Sequence, residues 1–170
     1  MTLGSGALSE MQVSHSQVDR SPILVAGFGS PHSDDQVGWR VAEMLESRRL
    51  QGVRILKVRE PSALLHDLNG CERLIIVVAC GAMAKPGRIT HLRWPNPRIA
   101  MHASHSTHGV AVSEVLRLAE QLDRLPRVVE IFAVEASDDR PHSEMTPAVL
   151  HAAVEVEARI LEEIQEAYHA

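Results

Sequence analysis

Hydrophobic residues in this chain come in short, nearly unbroken runs, and between the runs they thin out to every third or fourth position. The runs Pro22 to Ala26, Val53 to Glu60, Arg73 to Cys80 and Val128 to Ala136 predict strands. Leu74 to Ala79 has no polar alternation at all, which predicts a central parallel strand covered on both faces. Arg88 to Trp94 alternates with polar residues and stops at Pro95 and Pro97, as an edge strand returning antiparallel would. Helical spacing follows each strand in turn. Val37, Val41, Met44 and Leu45 predict a first helix, the stretch PSALLHDLNG a second, and Val112, Val115, Leu116, Ala119 and Leu122 the apolar face of a third. A long final helix has Thr146 at its cap and Pro147 at its first position, with Val149, Ala153, Val156, Ile160 and Ile164 along one side. Strand and helix alternate throughout, so the expected fold is a three-layer α/β/α domain on a mostly parallel sheet of about five strands.

Composition narrows the function. The chain has 170 residues, 45% of them hydrophobic, and a formal charge of −5. That suits a single globular domain over residues 21–170. It disfavours nucleic acid and anionic membrane, which reward clustered Lys and Arg. Residues 1–20 are rich in Gly and Ser and lack an apolar core, so they predict a flexible extension and no signal peptide. Cys71 and Cys80 form no CxxC pair and are expected as reduced thiols, which points to the cytoplasm.

Chemistry concentrates in the polar segments that follow strands. In GFGSPHSDDQVGWRV two glycines lead into Asp34 and Asp35 at a helix start. Such a loop would hold phosphate if it offered only backbone N–H groups, but here anion would meet anion. A dinucleotide fingerprint also needs a glycine where His32 stands. The loop therefore binds a cation or caps its helix. Ligands gather at the carboxyl ends of strands in such sheets, which predicts that this loop, Cys80 and the segment HASHSTHG with His102, His105 and His108 lie close together. Carboxylate, thiolate and imidazole together suit nickel or zinc. The competing readings are an inert buried Cys80, solvated histidines, and a Glu135 that faces water at the sheet edge.

These motifs resemble those of the hydrogenase maturation endopeptidases, which trim the C-terminus of the large subunit of nickel-iron hydrogenases. The likeness runs from about Ile23 to Ile164. The GFGSPHSDDQVGWRV loop is similar to the family's G-x-G-N and acid-acid-G-x-G sequence, with Ser30 for Asn and Gln36 for Gly. STHGVAVSEVLRLA resembles its S-H-G helix start, and FAVEASDDRPHSEMTP its later strand and helix lead. The resemblance implies metal ligands at Asp35 and His108. It also implies an acid after the third strand, where this chain has Val78 or Ala79. Cys80, His105 and Asp34 are the candidates to replace that acid; we assign Cys80 to the metal and Asp34 and His105 to substrate. The implied metal is nickel carried by the substrate, the implied partner the precursor large subunit, and the implied activity removal of its C-terminal peptide after nickel insertion. The alternative is a degenerate relative that binds the large subunit as a loading checkpoint without cutting it.

Overall fold

The computed structural model describes residues 22–81, 85–99, 107–137 and 144–169. Its strands are β1 (Ile23–Phe28), β2 (Val53–Val58), β3 (Arg73–Gly81), β4 (Ile89–Arg93) and β5 (Val128–Ala136). They form one sheet in the order β2-β1-β3-β5-β4. All pairings are parallel except β4 with β5, which is antiparallel at the edge. The helices are α1 (Val37–Ser47), α2 (Leu64–Asp67), α3 (Thr107–Gln121) and α4 (Pro147–His169). The expected three-layer architecture is thus present, with its antiparallel edge strand.

Alternation along the strands divides the core in two. Leu74, Ile76 and Val78 of β3 join Leu64 and Leu68 from the α2 region and Val112, Val115, Leu116 and Ala119 of α3. Ile75, Val77 and Ala79 face the other way, onto Val37, Val41 and Leu45 of α1 and Val149, Val156 and Ile160 of α4. Because both faces of β3 are covered, Leu74 to Cys80 are all buried, and this is why the run carries no polar alternation.

Two expectations need correction. The helix between β2 and β3 is shorter than its ten-residue pattern suggested: a 3-10 turn at Pro61–Ala63 followed by four α-helical residues. Leu122, expected on the apolar face of α3, is 49% exposed, because the helix ends at Gln121 and Leu122 lies in the turn beyond it. The N-terminal extension 1–20 lies outside the described residues.

A close approach of helix to sheet sets the later geometry. A Cβ on Gly38 would stand 2.1 Å from the Phe28 carbonyl oxygen and 2.7 Å from that of Val77, and one on Gly27 would stand 2.0 Å from the Gly38 carbonyl oxygen. With glycine at both positions the first turn of α1 rests directly on β1 and β3.

Candidate active site

The chain leaves β1 toward β2 on one side and returns to β3 on the other, so the strand order reverses between β1 and β3. The crevice outside the carboxyl ends of these two strands is where an open α/β sheet binds its ligands. The 3-10 turn Ser33–Gln36, between β1 and α1, contacts β3 there. The amino end of α3 belongs to the same edge. That helix packs on β3 and ends at Gln121, shortly before β5 starts at the opposite edge, so its first residues lie at the carboxyl side. His108 is the second residue of α3. His102 and His105 lie outside the described residues.

Asp34 and Asp35 are adjacent but differently housed. Asp34 is 1% exposed. Its Oδ1 accepts the Thr146 backbone N–H at 2.7 Å, while Oδ2 accepts the Ser137 N–H at 2.9 Å and the Thr146 hydroxyl at 3.0 Å. Instead of capping α1, it ties the turn after β1 to the end of β5 and the start of α4. Asp35 is half-buried, with its N–H donating to the His32 carbonyl at 3.1 Å. A Cβ on Gly29 would stand 2.2 Å from the Asp35 carbonyl oxygen, so the turn folds tightly back on the chain that leaves β1. Ser33 takes φ 45, a left-handed conformation that costs a non-glycine residue about 1 to 2 kcal/mol.

At the end of β3, Ala79 points toward α1 and α4, whereas Val78 packs on the α3 side. Neither offers a donor. Cys80 is 3% exposed, and burial, reinforced by the negative charge of Glu135, pushes its thiol up to about 12. At neutral pH it is therefore a neutral thiol packed at a strand end, a poor ligand unless a metal displaces its proton. Glu135, opposite Cys80 in the β3–β5 register, does not face water: it is 1% exposed, and its Oε2 accepts the Lys85 backbone N–H at 2.9 Å. Sequence reasoning missed this role. The one available signal was an acid late in the mostly apolar strand run Val128 to Ala136.

Comparison with known proteins follows the same lines. The hydrogenase maturation protease family matches residues 40–163, which begins just past the acidic turn. Among solved structures, the hydrogenase maturating endopeptidase HybD from E. coli is similar with a TM-score of 0.74 and 25% identity, over 85% of this chain and 93% of that one. The [NiFe] hydrogenase maturation protease HybD from Thermococcus kodakarensis has a TM-score of 0.67 and 24% identity, over 84% and 97%. The endopeptidase HycI from E. coli has a TM-score of 0.64 and 20% identity, over 81% and 87%. The last two likenesses show the fold. No curated protein sequence matches. With the family covering more than half of its length, the chain belongs to the hydrogenase maturation proteases.

Proposed function

We propose that this protease removes a C-terminal peptide from the precursor large subunit of a nickel-iron hydrogenase, and that it recognises nickel already seated in that substrate. The observation that carries the reading is the position of Asp35, on a turn packed against β3 where the strand order reverses. A half-buried carboxylate there can add an oxygen donor to a metal brought by the substrate. His108, at the amino end of the helix leading to the same edge, would add an imidazole nitrogen. Substrate-borne nickel would supply Lewis-acid polarisation at the bond to be cut.

The donor set fits a borrowed metal better than a resident one. Ala79 and Val78 stand where the family pattern has an acid, and the Cys80 thiol holds its proton far above neutral pH. Two protein donors make a weak independent site. Added to ligands the substrate already provides, they suffice to register that the metal is present. No described helix is long and apolar enough to cross a membrane.

The test is to mix the protein with nickel-loaded and nickel-free precursor and follow intact mass. Loss of the C-terminal peptide from the loaded form alone is the expected result. Tight binding of loaded precursor with no cleavage, under conditions where Ala79→Asp cleaves it, would replace this reading with the checkpoint role.

A further inference from the structure

We infer that Asp34 is a positioning residue that holds Asp35 at the crevice by locking the turn after β1 to the start of α4. The inference rests on the proposed role of Asp35. Three donors converge on Asp34: the Ser137 N–H at the end of β5, and the N–H and hydroxyl of Thr146 at the start of α4. These partners lie more than a hundred residues away in sequence, so the carboxylate joins segments that nothing local would bring together.

The energetic asymmetry favours a fixed turn. Asp34 is buried, and leaving any of its partners unmade would cost the desolvation of a polar group. The Thr146 N–H also lies at the amino end of a 23-residue helix, where the helix dipole favours an anion. Charge-assisted bonds of this kind are roughly twice as strong as neutral ones.

The neighbouring backbone is strained. Ser33 sits at φ 45, a conformation that persists only where the surroundings over-determine it. Gln36 Nε2 donates to the Ser33 carbonyl from one side, and Asp34 anchors the other. Glycine at position 29 lets the Asp35 carbonyl close against the strand exit. Asp34 therefore divides the work of the acidic pair. It satisfies the backbone donors of the β5–α4 connection, and the turn it anchors presents Asp35.

Asp34→Asn keeps the shape and one acceptor while removing the charge. We expect the folded variant to lose about 10 to 100-fold in kcat on nickel-loaded precursor, the range seen when groups that orient a metal ligand are removed. The loss should fall more on kcat than on KM. Thr146→Val, which deletes only the hydroxyl, should give a smaller loss of the same kind, and Thr146→Ser should recover most of it. Amide hydrogen exchange should rise at residues 33–36 in Asp34→Asn and not in β3. A folded Asp34→Asn that cleaves with wild-type kcat would overturn the inference, as would a loss that merely follows the unfolded fraction. If the wild-type protein itself leaves loaded precursor uncut, the proposed function fails and the inference falls with it, an outcome distinct from a wild type that cuts and a variant that cuts equally well.

Discussion

The two ends of the sheet bury carboxylates in opposite ways. At the amino end, Arg73 bridges Glu130 and Glu163 with 3.0 Å contacts to each, and His91 lies 3.6 Å from Glu130. At the carboxyl end, Asp34 is held by backbone N–H groups and a hydroxyl, and Glu135 accepts a backbone N–H. Ligand atoms of His91, Glu130 and Glu163 converge within 4.8 Å, near enough to share one metal ion. Yet the place a cation would take is filled by the Arg73 guanidinium, and His91 is stacked on Phe132 with ring centroids 4.2 Å apart. Acidic convergence thus marks an internal ion pair at one edge. At the other, the bonds described for Asp34 and Glu135 come from backbone N–H groups and a hydroxyl.

The contrast can be broken most severely at Gly38. Gly38→Ala would drive a Cβ into two backbone carbonyls, where nothing flexible can yield. A loss of about 3 kcal/mol or more is expected in denaturant unfolding, with α1 displaced from the carboxyl edge. Wild-type stability in this variant would mean that the helix does not rest on the sheet as described.

Asp35→Asn should act on chemistry alone. Cleavage of loaded precursor is expected to fall by at least about 100-fold, beyond what loss of an orienting group costs, while the melting temperature stays near that of the wild type. Retained cleavage in a mass assay would remove Asp35 from the site.

The amino edge should respond in the reverse sense. Arg73→Ala leaves Glu130 and Glu163 facing each other without a cation. A loss of about 1 to 2 kcal/mol is expected by urea unfolding, less than for a fully buried pair because Arg73 and Glu163 keep side-chain exposures of 22% and 26%. Cleavage below the melting range should be unchanged; a selective loss of activity would tie this edge to function.

The smallest effect concerns the thiols. Burial first, and for Cys80 also the charge of Glu135, raises Cys71 to about 11 and Cys80 to about 12 from an ordinary 9.0. A group raised in the fold contributes stability that is fully present below its unfolded value and is lost as pH climbs through the folded one. Stability should therefore decline between about pH 9 and 12, and Cys80→Ser should flatten the upper part of that decline while leaving cleavage at pH 7 intact. A Cys80→Ser variant with lowered nickel-dependent cleavage would restore the thiol as a ligand.

The α4 stripe of Val149, Ala153, Val156, Ile160 and Ile164 was legible because helical spacing and burial coincide, and all five are buried. β3 was legible for the same reason, since a strand covered on both faces has no polar alternation to hide. Leu122 misled because periodicity continues past the point where the helix stops. Glu135 misled because an acid in a strand looks solvent-facing until the segment that donates to it is seen. For His108 and His105 the sequence remains the source of the assignment.

Local pattern thus determined the elements, their order, the fold class and the family, since periodicity and motif spacing are properties of near neighbours along the chain. Tertiary structure alone decided how the two aspartates are housed. Asp34 and Asp35 are chemically identical and adjacent, yet Asp34 is buried and accepts bonds from Ser137 and Thr146, while Asp35 is half-buried. Nothing within ten residues of the pair encodes that difference. It arises because β5 and the start of α4 are brought to the turn by the sheet, and a buried carboxylate must take whatever donors the fold delivers.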